Sequence, residues 1–199
     1  ATRTSPTWEF YVGPDTGARD ASHGFILDVN GDGIAELLVG ASTAPFTGAA
    51  GPGQLYVLAK RGAGFDPSPI AVRAGEADES LFGDEIAPVG DLDGDGFIDV
   101  AVKAPGAGVV PATVSIFYGS PAGLALVPGW TGPAGVRPGR DVAGGDVDGD
   151  GYSDLVVGVP ADVDVGGSVV VYRWTCAGPT AEPQHLDPPL ATTGRFGLG

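Results

Sequence analysis

The chain has 199 residues, of which 35 are glycine and 18 proline, yet 43% are hydrophobic and the mean hydropathy is +0.15. A chain this apolar can bury a core, so the glycines and prolines mark turns between many short elements and argue against a helical protein. The net charge of −15, with 19 Asp and 6 Glu against 10 Lys plus Arg, makes nucleic acid and anionic lipid poor partners.

No apolar run reaches the roughly 18 residues of a membrane span. The single cysteine, Cys176, allows no internal disulfide. The chain opens at Ala1 and contains no methionine, which points to a processed product or an excised piece of something longer.

In chain order, a weak strand is expected at 8–12, followed by the pair His23-Gly24. An acidic loop, Asp28-Val-Asn30-Gly-Asp32-Gly-Ile34-Ala-Glu36, then enters an apolar strand at 37–39. An alternating strand follows at Gln54–Leu58, with Leu55 and Val57 on one face. A weaker strand at 70–73 leads into the second copy.

That copy runs through Phe82-Gly83, the loop Asp91-Leu-Asp93-Gly-Asp95-Gly-Phe97-Ile-Asp99, the apolar 100–102 and the alternating Thr113–Phe117. Another weak strand at 130–131 precedes the third copy. There, Gly139-Arg140 leads to the loop Asp146-Val-Asp148-Gly-Asp150-Gly-Tyr152-Ser-Asp154, the apolar 155–157 and the alternating Ser168–Tyr172.

The three loops begin 63 and 55 residues apart, so each unit holds about four short strands. The strands that follow the loops are apolar throughout, which predicts burial on both faces. Four strands per repeated unit predict an all-β β-propeller of four-stranded blades, with about three blades present. A β-sandwich is the structural alternative.

The loops carry the chemistry. Oxygen donors at positions 1, 3 and 5 converge when the chain curls around a cation, and glycine at positions 4 and 6 permits the curl. The carbonyl at position 7 (Ile34, Phe97, Tyr152) and the acid at position 9 (Glu36, Asp99, Asp154) complete the candidate set. Carboxylates with no His or Cys nearby select Ca²⁺ over zinc or copper, and three sites are expected. The twelfth position is Val39, Val102 or Val157, where an EF-hand requires Glu, and a β-rich run follows. The loops hold 11 of the 25 acids, and three bound Ca²⁺ would take the formal charge from −15 to −9.

These residues resemble the FG-GAP repeat of integrin α-subunit propellers and bacterial surface proteins. Phe82-Gly83 stands at the "FG", and Lys103-Ala104-Pro105, Gly158-Val159-Pro160 and Gly40-Ala41-Ser42 stand at the "GAP". His23-Gly24 and Gly139-Arg140 depart from the "FG", and Arg195-Phe196-Gly197 looks like the opening of another repeat.

The resemblance implies repeats over about 8–69, 70–129 and 130–186, with 187–199 starting a fourth. It implies a fragment of a roughly seven-bladed ring, completed by the rest of a parent propeller or by a second copy. It also places calcium loops on the lower face and ligands on the upper, whose candidates are 43–53, 106–111 and 161–166. The Lys-poor composition suggests a bacterial, GC-rich source.

The leading functional expectation is an extracellular or cell-surface binding module for adhesion or recognition of a protein or glycan, with calcium mainly structural and no enzyme activity. The alternatives are the propeller domain of a secreted carbohydrate- or lipid-active enzyme, and a structural spacer. No Gly-x-Ser-x-Gly, P-loop or His-Glu-x-x-His motif occurs. His23 is expected to pack, His185 to be exposed, and Cys176 to be an inert buried thiol. Asp78, Glu79, Asp84 and Glu85 read as a solvated turn, and Trp8 and Trp130 as packing between blades.

Overall fold

The computed structural model describes residues 27–43, 51–62, 64–76, 80–106, 111–133, 142–159 and 167–187. The expected strand at 8–12, the pairs His23-Gly24 and Gly139-Arg140, and the Arg195-Phe196-Gly197 segment lie outside them.

The strands in chain order are β1 (Leu37–Ala41), β2 (Gln54–Leu58), β3 (Lys60–Arg61), β4 (Gly64–Phe65), β5 (Ala71–Ala74), β6 (Glu85–Gly90), β7 (Asp99–Ala104) and β8 (Thr113–Phe117). They continue as β9 (Trp130–Pro133), β10 (Val142–Gly145), β11 (Asp154–Val159), β12 (Ser168–Tyr172), β13 (Trp174–Thr175), β14 (Gly178–Pro179) and β15 (Gln184–Leu186). Three antiparallel sheets result, ordered β1-β2-β5, β6-β7-β8-β9 and β10-β11-β12-β15, with β3–β4 and β13–β14 as small hairpins beside them. The protein is therefore an all-β chain in which one antiparallel sheet is repeated.

The strand register sets the core. Ala101 pairs with Ile116, and Val100 with Phe117, so the two pairs take opposite faces of the second sheet. Ala101, Val114 and Ile116 pack with Leu155, Val157, Val170 and Tyr172 of the third sheet. Val100, Val102 and Phe117 pack with Leu55 and Val57 of the first. Both faces of the second sheet are covered, and every residue of β7 is buried, as its apolar run predicts.

β1 departs from that expectation. Leu37 and Val39 are 39% and 40% exposed. They lie on the face turned away from the second sheet, which has no neighbour among the described residues. Val72 shares this face, because Val39 pairs with Tyr56 and Tyr56 with Val72, and it too is exposed.

Neighbouring sheets meet closely at their leading strands. A Cβ at Gly144 of β10 would lie 2.0 Å from the Val89 carbonyl oxygen of β6, and one at Gly40 would lie 1.9 Å from that of Gly83. At the opposite edge, Trp130 of β9 meets Tyr172 and Trp174 edge-on, with ring centroids 5.2 and 5.3 Å away. Glycine at one edge and three large rings at the other give the gap between the second and third sheets a wedge shape.

Candidate metal centre

The acidic loops join β6 to β7 and β10 to β11, and the first loop leads into β1. Their fold is written in side-chain-to-backbone bonds of one pattern. In the second loop, Asp91 accepts N–H bonds from Gly94 (2.7 Å) and Gly96 (2.8 Å), and Asp95 accepts one from Phe97 (3.0 Å). In the third, Asp146 accepts from Gly149 (2.6 Å) and Gly151 (3.1 Å), and Asp150 from Tyr152 (3.0 Å). Gly94, Gly96, Gly149 and Gly151 have φ between 79° and 96°, which a side chain would oppose.

The ninth-position acids are the anchors. Asp99 is fully buried and accepts bonds from Leu92 N–H (2.7 Å) and Gly119 N–H (2.9 Å). Asp154, equally buried, accepts from Val147 N–H (3.1 Å) and Trp174 N–H (2.9 Å). Burial pushes the Asp99 carboxyl up to about 7, against the pull of its two N–H donors, and Asp93 and Asp91 add to the rise. Burial raises Asp154 as well, and raises Asp93 with help from Asp95.

Two groups of carboxylates converge among the described residues. Asp91, Asp93 and Asp99 bring one oxygen each to within 4.8 Å of one another, as do Asp146, Asp148 and Asp154. Like charges crowded this way need a compensating cation or proton.

The first loop holds the same turns without that convergence of acids. Asp28 accepts from Gly33 N–H (2.8 Å) and Asp32 from Ile34 N–H (2.7 Å). Asn30 turns its amide toward the acids, donating to Glu36 Oε1 (3.0 Å) and Asp32 Oδ2 (3.4 Å). Glu36 also accepts from Val29 N–H (3.0 Å), and burial raises its pKa. Asp28 Oδ1 is buried with no hydrogen-bond partner.

Several participants carry no sequence signal of their own. Arg173 sets its guanidinium 3.5 Å from Asp148 of the third loop. Gly119 and Trp174 each stand 20 residues after the acid they cap, an equivalence visible only once the repeats are aligned.

Two expectations are corrected. Cys176 is exposed, because it sits in the turn between β13 and β14 rather than under a sheet. Glu85 is not part of a solvated turn. It pairs with Lys103 at 2.6 Å and accepts Val142 N–H at 2.9 Å, joining the second sheet to the third. Lys103, which stands where the "GAP" has glycine, is 5% exposed. His185 is exposed, as expected, and Asp78 and Glu79 lie outside the described residues.

With this geometry in view, comparison defines the class. The FG-GAP repeat model matches residues 25–58 and 138–172, and the chain is an FG-GAP-containing, integrin-α-like region of repeated β-sheet. It is 40% identical to integrin alpha-7 of Mus musculus over 143 residues, covering 69% of this chain and 12% of that protein. It is 37% identical to integrin alpha-IIb of Homo sapiens over 159 residues, covering 74% and 15%. With integrin alpha-V of Gallus gallus the identity is 38% over 146 residues, covering 66% and 14%.

The chain thus spans only 12 to 15% of the length of these relatives. The likeness is to segments of animal integrin α-subunits. It lends no support to the bacterial source suggested by composition. Among the described residues no helix is long and apolar enough to cross a membrane.

Proposed function

We propose that this chain is part of an extracellular, calcium-stabilised β-propeller that serves adhesion or recognition without catalysis. The observation that carries the reading is the convergence of three carboxylates in each of two loops. Oxygen-only donors select a hard cation, and the loop's several acids suit calcium better than the strict octahedron of magnesium.

The residues fit the ion. The buried, partnerless Asp28 Oδ1 extends the reading to the first loop. The sites are Asp28, Asn30, Asp32, Ile34 and Glu36; Asp91, Asp93, Asp95, Phe97 and Asp99; and Asp146, Asp148, Asp150, Tyr152 and Asp154. The residue at position 7 contributes its carbonyl. Bound calcium neutralises the crowded acids and fixes the turn between two strands, a structural role.

The wedge between the sheets supports a radial arrangement of blades. The exposed Leu37, Val39 and Val72 on one side, and Val147 at 55% exposure in the third loop, support further blades on either flank. The rest of a parent propeller, or a second copy, would supply them. The repeats run over about 8–69, 70–129 and 130–186, with 187–199 opening a fourth. A protein or glycan ligand would use 43–53, 106–111 and 161–166, most of which lie outside the described residues.

Calorimetric melts in calcium, magnesium and chelator test the metal. Calcium should raise Tm most, and a melt unchanged by chelation overturns the reading. Glycan and protein arrays with and without calcium test recognition, and binding indifferent to an intact fold would count against it.

A further inference from the structure

We propose that the acidic loops of neighbouring sheets do not take up cations independently: the aromatic residue at position 7 of the second and third loops, Phe97 and Tyr152, couples each of them to the loop before. The inference rests on the calcium reading above and adds a route of communication to it.

The contact is the same in both pairs of loops. The Phe97 ring lies over Gly31 of the first loop, where a Cβ would meet its Cε1 at 2.7 Å and its Cδ1 at 3.3 Å. The Tyr152 ring lies over Gly94 of the second loop, where the corresponding distances are 2.4 and 3.1 Å. Position 7 of one unit thus presses on position 4 of the previous one, at glycines with φ of 71° and 79°. A Cβ at Gly149 of the third loop would have no described atom within 4 Å.

Backbone bonds run alongside. Ser153 N–H, next to Tyr152, donates to the Asp91 carbonyl at 2.9 Å. Between the second loop and the first, Asp99 holds Gly119 N–H, and Ser120 N–H donates to the Val29 carbonyl at 3.0 Å. Val29 N–H in turn donates to Glu36. A connected path therefore joins the ninth-position acids of two sheets.

The direction of coupling follows from the chain. The position-5 carboxylates, Asp95 and Asp150, hold the N–H of Phe97 and Tyr152. Drawing either carboxylate onto a cation tightens the backbone that aims the ring. The ring then holds the preceding loop in its ligating curl, so occupancy of one loop favours occupancy of the loop before it. Coupling is reciprocal for binding free energies. Phe97 and Tyr152 are positioning residues: each ring acts on the preceding site, to which its own residue contributes no ligand.

The test follows the amide signals of Gly94 and Gly149 by NMR while calcium chloride is titrated into the full chain. Each N–H is held by the first-position acid of its own loop, so each reports one site. Silencing the third loop with Asp148→Asn plus Asp150→Asn should weaken the Gly94 midpoint by about five-fold or more. Tyr152→Ala should weaken it similarly although it removes no acid, whereas Tyr152→Phe should leave it unchanged. A Gly94 midpoint equal in the parent and Tyr152→Ala, with calcium still bound, overturns the coupling alone. If neither amide responds to calcium in the parent chain, the calcium reading fails and the coupling falls with it.

Discussion

Removing the cation should make the fold lose stability as pH rises toward neutrality. In the cation-free fold, burial holds the Asp99 carboxyl at about 7, while in the unfolded chain an Asp titrates near about 3.9. Between these values the folded state keeps a proton that the unfolded state has released. Stability from this group is fully present below the unfolded value and is lost as pH rises through the folded one. One such proton gives a slope of about −1.4 kcal/mol per pH unit, and a window of about three pH units sets a ceiling of about 4 kcal/mol. Burial moves Asp154 and Glu36 in the same direction, so both steepen the fall.

Bound calcium displaces that proton, so between about pH 5 and 8 neither state holds one and the slope falls to near zero. Urea denaturation at pH steps from about 5 to 8, in excess calcium and in chelator, measures both slopes. Asp99→Asn should flatten the chelated slope by about one proton. Chelated stability that is flat or rises across this window would refute the idea that buried, uncompensated charge is what the cation relieves.

Other substitutions probe the packing and the charges. Gly144→Ala forces a methyl against the rigid Val89 backbone and should cost about 2–3 kcal/mol in denaturant melts, whereas Gly145→Ala beside it meets no described atom within 4 Å and should cost far less. Trp130→Ala removes the ring between Tyr172 and Trp174 and should cost about 3 kcal/mol by the same assay. Glu85→Ala takes the nearest carboxylate from buried Lys103 and should cost about 3 kcal/mol. Arg173→Gln removes a cation beside Asp148 and should tighten calcium at the third loop by about five-fold, near 1 kcal/mol in a water-like medium, read from the Gly149 amide.

Much of this was legible in the sequence because it repeats with local signatures. The alternation of Gln54–Leu58 and Thr113–Phe117 specifies which side chains meet the next sheet, and the structure buries Leu55, Val57, Val114 and Ile116. The spacing of the loop acids places the turns, since the carboxylates at positions 1 and 5 cap N–H groups only two to five residues away. What was not legible depends on distant partners. The apolar run of β1 carries no mark that its outer face lacks a neighbour among the described residues. Lys103 looks like a surface residue displacing a glycine until Glu85 and the third sheet enclose it. Cys176 sits among apolar-flanked strands in sequence but in a hairpin turn in space.

The second position of each loop shows how one unit depends on the next. Val29 is buried in the core between the first and second sheets, and Leu92 in that between the second and third. Val147, their counterpart in the third loop, is exposed at 55%. The second position is apolar in all three loops, so the difference comes from what stands beside the loop rather than from its own residues. The same one-way order appears in the aromatic contacts: Phe97 covers Gly31, Tyr152 covers Gly94, and no described residue covers Gly149. Each loop is therefore finished by the unit after it, in its apolar packing and in the ring over its turn. A repeat of this kind would be poorly ordered at its metal loop when isolated, and the loop of the last unit becomes equivalent to the others only when another sheet is placed against it.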